Sequence, residues 1–173
     1  MATALAAALW TVAVPESVVA QRSPADGPAA PRGSTTRCVL TRISDGDTIE
    51  CEPAGRIRLL GVDTPEGKQE PYGTAATAGL ASLVPARATL ELELDVQARD
   101  RNGRLLAYVW LDGAMVNWLL VRRGWAVTLS YAPNRRYAPI LDAAERQARA
   151  ERRGLWAVDG FRCRPVEFRR RSC

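Results

Sequence analysis

From residue 89 to 96 apolar and polar side chains alternate without a break, with Leu90, Leu92, Leu94 and Val96 set against Thr89, Glu91, Glu93 and Asp95. A period of two over that length predicts a strand with one wet face. Two short β-branched runs, 38–44 and 48–52, flank Asp45-Gly46, a pair that tolerates positive φ and marks a hairpin. Pro53-Ala54-Gly55 turns the chain into a third strand over 56–62. The Ala- and Leu-rich stretch 74–84, stopped by Pro85, predicts a helix. Asp100-Arg101-Asn102-Gly103-Arg104 is a second hairpin turn, and 105–111 a fifth strand ended by Asp112-Gly113. Beyond it Met115, Val116, Leu119 and Leu120, and then Tyr137, Ile140, Leu141, Ala144 and Ala148, recur at helical spacing, with Gly124 and Gly154 as stops.

Three strands, a helix, two strands and two helices are what a small five-stranded Greek-key barrel of the OB type requires, so the expected class is α+β, mainly β, with three helices. Arg135, Arg136, Arg146, Arg149, Arg152 and Arg153 on and around the last helix read as a solvated face.

The ends depart from this pattern. Residues 1–20 are apolar from Ala2 to Val14 and close on Val18-Val19-Ala20, which predicts a secretory signal despite the lack of a basic start. Residues 21–36, rich in Pro, Gly, Ala and Ser, read as a flexible tether, 37–160 as one folded domain, and 161–173 as an arginine-rich tail. The 173-residue chain with 47% hydrophobic content has enough material for one substantial core. Its four cysteines are even in number and do not match a zinc spacing, so with an export signal they predict disulfides; of the three pairings open, Cys38–Cys51, flanking one predicted hairpin, and Cys163–Cys173, closing a short basic tail, are preferred, and four reduced thiols are the alternative should export fail.

Composition narrows the chemistry. The net charge of +5 favours a polyanionic partner, although the basic residues are nearly all arginine, with Lys68 the only lysine. There is no histidine, which excludes histidine acid–base catalysis, histidine metal ligation and Ser-His or Cys-His nucleophiles. Charge is concentrated in DGDTIECEPAGRIRLLGVDTPE, residues 45–66. Asp47 and Asp63 stand at strand mouths and, with the Thr64 carbonyl, form an oxygen set suited to a hard divalent ion. Taken singly, Asp47 is equally compatible with a plain turn residue, and Asp63-Thr64-Pro65-Glu66 with the capped start of a helix. Arg58, between Ile57 and Leu59-Leu60, is harder to explain by folding, because an unpaired buried guanidinium costs several kcal/mol. Its planar fork matches phosphate oxygens. With Arg104 as a second guanidinium and Glu66 as a carboxylate able to activate water, the set suits phosphodiester hydrolysis.

DGDTIEC, RIRLLGVDTPE and DRNGRLLAYVW resemble the two signatures of the staphylococcal nuclease (thermonuclease) family, and the similarity runs through MVNWLLVRRGWA and YAPN to GLW, about residues 38–156. The resemblance implies an OB-type barrel, a calcium ion and cleavage of DNA and RNA to 3′-phosphate products. Carried over, it assigns Asp47, Asp63 and the Thr64 carbonyl to calcium, Glu66 to the water, and Arg58 and Arg104 to the phosphoryl oxygens. Tyr131 matches a tyrosine near the bound nucleotide, followed by a cis bond at 132–133; Arg101 is the further substrate-binding candidate. Departures are a shorter turn between Cys51 and Arg58, Asn102 in place of a tyrosine, Leu129 in place of a second nucleotide-facing tyrosine, and a short, lysine-poor loop after Glu66. They bear on base stacking and affinity more than on catalysis.

The expectation is a secreted or periplasmic, monomeric, calcium-dependent nuclease acting on DNA and RNA, without a stable protein partner or a membrane attachment after signal removal. The alternative is a nucleic-acid-binding barrel without catalysis. The segment FRCRPVEFRRRSC is either an outer grip on the DNA backbone or a solvated tail.

Overall fold

A computed structural model describes residues 27–173; the expected signal lies outside them. The strands run β1 (Thr35–Asp45), β2 (Thr48–Glu52), β3 (Gly55–Leu59), β4 (Gly61–Asp63), β5 (Thr89–Arg99), β6 (Leu105–Leu111), β7 (Ala114–Met115) and β8 (Val127–Leu129). Helices α1 (Tyr72–Leu83), α2 (Val116–Arg122) and α3 (Ala138–Ala150) are followed by a 3₁₀ turn at Gly154–Ala157 and a short α4 (Pro165–Arg169).

Strands pair in the order β3-β2-β1-β5-β6, and β3 closes onto β6 in parallel, Ile57 facing Leu105 and Leu59 facing Ala107. This is the five-stranded barrel expected, with β7 added beside β6 and β4 paired with β8 in a separate ribbon. Ile49, Ile57, Leu59, Leu90, Leu92 and Val109 fill the interior, where burial of each large side chain contributes about 1.5–3 kcal/mol. Asn117 of α2 pins the closure: its Oδ1 accepts from Val109 N–H at 2.8 Å and its Nδ2 donates to the Leu60 carbonyl at 2.8 Å.

Four details differ from the pattern reading. The third strand is broken, because Gly61 adopts φ +74° and a Cβ there would lie 2.5 Å from Leu141 Cδ1; β4 thereby leaves the barrel to meet β8. The wet face of β5 is covered at its centre. Glu93 is fully buried because Trp110, Tyr137, Arg136 and the chain at Arg32-Gly33 all converge on its carboxylate, while Val96, beyond the regular pairing with β6, is 72% exposed. Arg136 is therefore paired, to Glu93 and Asp95, rather than solvated. The tether expected over 21–36 is docked in its described part: Arg32 and Gly33 N–H groups donate to Glu93, and β1 already begins at Thr35. A composition without periodicity does not reveal backbone donors held by a distant acid.

The fourth difference is the C-terminal segment, which folds as a fourth helix instead of trailing. Disulfides join Cys38 to Cys51 across the β1–β2 hairpin and Cys163 to Cys173 around α4. A small apolar cluster of Ala76, Val127, Leu155 and Phe161, flanked by Tyr72 and Trp156, fastens the approach to α4 against α1. Arg164 adds an ion pair of 2.8 Å to Glu145 of α3. The Ala132–Pro133 bond is cis. No helix among the described residues is long and apolar enough to cross a membrane.

Candidate active site

The β1–β2 turn, the end of β4 and the loop after it meet at one end of the barrel. Asp45 supplies the turn chemistry, its Oδ1 accepting the Asp47 N–H at 3.0 Å. Asp47 is thereby released from a turn role and crosses to the other strand, its Oδ2 accepting Thr64 N–H at 3.0 Å and Thr64 Oγ1 at 3.1 Å. Gly46 permits this approach, since a Cβ there would sit 2.7 Å from Thr64 Oγ1. Nor does Asp63-Thr64-Pro65-Glu66 start a helix: α1 begins at Tyr72 with Pro71 as its cap. Neither aspartate is explained by local folding.

Arg58, with its side chain only 15% exposed, joins the two acids. Its Nε lies 3.1 Å from Asp47 Oδ1 and its Nη2 3.2 Å from Asp63 Oδ1, while Nη1 donates to the carbonyls of Leu59 at 2.6 Å and Val62 at 2.8 Å. Its charge is met by two carboxylates, which resolves the burial penalty. Burial drives the Asp63 carboxyl above the ordinary aspartate range, and the guanidinium groups around it offset only part of that cost.

Arg58 and Arg104 line one cleft of about 270 Å³ together with Tyr131, Pro133, Leu106 and Leu129. Arg104 is aimed by Asp100, which accepts its Nε at 2.8 Å and its backbone N–H at 3.0 Å. Burial opposes ionisation of Asp100, but the bonds from Arg104 and from the Asn102 backbone outweigh it and hold that carboxyl below its usual range. Tyr131 stands 62% exposed at the cleft. Arg101, exposed at the tip of the β5–β6 turn, is not among the residues lining the cleft.

Glu66 lies outside the cleft lining, on the loop beyond β4. Gln69 positions that loop: its Oε1 accepts Glu66 N–H at 2.8 Å, and its Nε2 donates to the Cys163 carbonyl at 3.1 Å. The Glu66 side chain meets Arg169 of α4, whose Nη1 lies 2.6 Å from Glu66 Oε1. The same guanidinium grips Asp63 with both arms, at 3.0 and 2.9 Å.

The sequence as a whole matches a known lineage. Residues 56–158 correspond to the family described as Staphylococcal nuclease homologue. The chain belongs to that family. This nuclease homologue is 34% identical over 142 residues to the thermonuclease of Staphylococcus intermedius, covering 76% of this chain and 84% of the relative. It is 36% identical over 126 residues to the thermonuclease of Staphylococcus hyicus, covering 68% and 74%. With the endonuclease YncB of Bacillus subtilis it shares 38% over 132 residues, 70% of this chain and 62% of the relative.

Pattern reading missed Arg169, Gln69 and Asp100. Arg169 is one of three consecutive arginines, and nothing local separates it from Arg170 and Arg171. Asp100 had a signal, since an acid four residues before an arginine across a Gly-containing turn is placed to hold it.

Proposed function

We propose that this member of the family is a secreted, calcium-dependent nuclease that hydrolyses phosphodiester bonds of DNA and RNA to products ending in a 3′-phosphate. The observation that carries the reading is the juxtaposition of two buried carboxylates, Asp47 and Asp63, with a cleft flanked by Arg58 and Arg104. Its relatives are named as thermonucleases and an endonuclease, which supports nucleic acid as the substrate class.

The donor set suits a hard cation. Asp47, Asp63 and the Thr64 carbonyl are all oxygen ligands, and both aspartates are buried at the same end of the barrel. Among the described residues no group of three or more His, Cys, Asp or Glu side chains is gathered tightly enough to cage a metal, so water and phosphate would complete the shell. A calcium ion held there would neutralise charge on a phosphoryl oxygen.

The chain's own groups divide the remaining work. Arg58, held by Asp47 and Asp63, and Arg104, held by Asp100, present positive charge from two sides of the cleft to the phosphoryl oxygens. Because both guanidinium groups are anchored by carboxylates before substrate arrives, little reorganisation accompanies the build-up of charge. Glu66, once released from Arg169, takes a proton from the attacking water. Tyr131 offers an exposed aromatic face for a base.

Two disulfides fit an oxidising compartment outside the cytosol. The reading is tested by digesting plasmid and RNA with calcium and then with chelator, followed by end-group analysis. Calcium-dependent loss of both substrates with 3′-phosphate ends is expected; hydrolysis that survives chelation would overturn it.

A further inference from the structure

Arg169 occupies the position where the acidic cluster would otherwise face solvent. Its two-armed bond to Asp63 takes both carboxylate oxygens, and its third contact takes Glu66. One side chain thus restrains both a proposed cation ligand and the proposed water-activating group. Charge balance sharpens the consequence. Asp47, Asp63 and Glu66 against Arg58 alone leave two negative charges, the complement of one divalent cation. Arg169 cancels one of them, so ion and guanidinium together would leave the cluster positive.

The segment that carries Arg169 is built to hold it there. The Cys163–Cys173 bridge closes the chain around α4, and Glu167 accepts the Arg164 N–H at 2.8 Å to cap that helix. Two clamps, Arg164 on Glu145 and Gln69 on the Cys163 carbonyl, fix the base of the segment to the domain. A tethered, pre-shaped competitor loses little freedom on docking and acts at high effective concentration. A hollow of about 540 Å³ between the Glu66 loop and α4, lined by Gly67, Lys68 and Phe168, leaves the guanidinium room to swing away.

We infer that the disulfide-closed C-terminal hook is an internal competitor of the catalytic cation, with Arg169 occupying Asp63 and Glu66 until a divalent ion displaces it; this rests on the cation site proposed above. The hook raises the calcium concentration at which the enzyme switches on, and so biases it toward calcium-rich surroundings. Affinity falls by the fraction of molecules left open, so a hook docked about nine-tenths of the time weakens calcium binding roughly tenfold.

The test is calorimetric titration of calcium chloride into the full, oxidised chain, comparing wild type with Arg169→Ala and with Arg170→Ala as the neighbouring control. Arg169→Ala is expected to bind calcium roughly tenfold tighter and to need correspondingly less calcium for half-maximal plasmid cleavage, with Arg170→Ala like wild type. In the wild type, saturating calcium should speed hydrogen exchange across 165–169. Should Arg169→Ala fold poorly, the Cys163→Ser/Cys173→Ser pair, which opens the hook, is expected to shift calcium affinity in the same direction. Equal or weaker calcium binding by the opened variants overturns the inference, as does cleavage lost at unchanged affinity, which would make Arg169 a substrate contact. Absence of calcium heat in every chain removes the cation site itself, and chelator-resistant plasmid cleavage would then identify that failure as belonging to the proposed function.

Discussion

Glu93 and Asp63 are both carboxylates sealed beneath arginine, yet their partners differ in kind. Glu93 accepts from Tyr137 Oη at 2.9 Å, Trp110 Nε1 at 3.0 Å, the backbone N–H groups of Arg32 and Gly33, and Arg136. Most of these donors are neutral and built into the core, so the acid is held by groups that cannot leave without unfolding. Among the described residues, the Asp63 carboxylate is held by two guanidinium groups, Arg58 from the barrel and Arg169 from the C-terminal hook. A carboxylate bound by fixed dipoles stabilises a fold. One bound by the ends of flexible side chains can exchange a partner without unfolding, which the proposed cation site would need.

The largest effect is expected from Glu93→Ala. Removing that acid strands Arg136, Tyr137 and Trp110, and we expect a loss of about 3–5 kcal/mol in denaturant unfolding, with hydrolysis per folded molecule unchanged. Glu66→Gln should do the reverse, lowering hydrolysis on the order of 10²-fold while leaving the melting temperature close to wild type. An unchanged rate would remove Glu66 from the mechanism.

Tyr137→Phe is a milder cut at the Glu93 hub, expected to cost about 1–2 kcal/mol through the lost bonds to Glu93 and Arg32. It also carries a pH signature. Burial and the Glu93 hydrogen bond push the Tyr137 hydroxyl up to about 12, against about 10 in the unfolded chain. The folded state therefore retains the proton more tightly: the stabilisation is whole below pH 10 and is lost as pH rises toward 12. Thermal melts across that window should fall less steeply in Tyr137→Phe than in wild type. The smallest effect is expected from Tyr131→Ala, which removes a stacking face worth roughly 1 kcal/mol or more per base. KM should rise several-fold with kcat little changed, and an equal loss in kcat would place Tyr131 nearer the chemistry.

Much of the barrel was legible locally. Asp45-Gly46 announced the first hairpin, and the strands at 48–52 and 105–111 run as the pattern reads. Arg58 stood out because an arginine inside an apolar run requires an acidic or phosphate partner, and its neighbours are indeed Asp47 and Asp63. What stayed hidden were long-range pairings. The alternation over 89–96 did not show that Glu93, on the polar face, is covered, because the groups over it come from a segment 60 residues upstream, from β6 and from the approach to α3.

The order of residues alone determined the strand periods, the turn chemistry and the supply of carboxylates and guanidinium groups near Asp47, because these depend on neighbours a few positions apart. Only the tertiary structure decided which acid is held by core dipoles and which by guanidinium groups. Arg169 reaches Asp63 across 106 residues of chain, and a pairing at that separation is set by how a disulfide, a small apolar cluster and two anchoring bonds orient the hook, none of which has a local period to betray it.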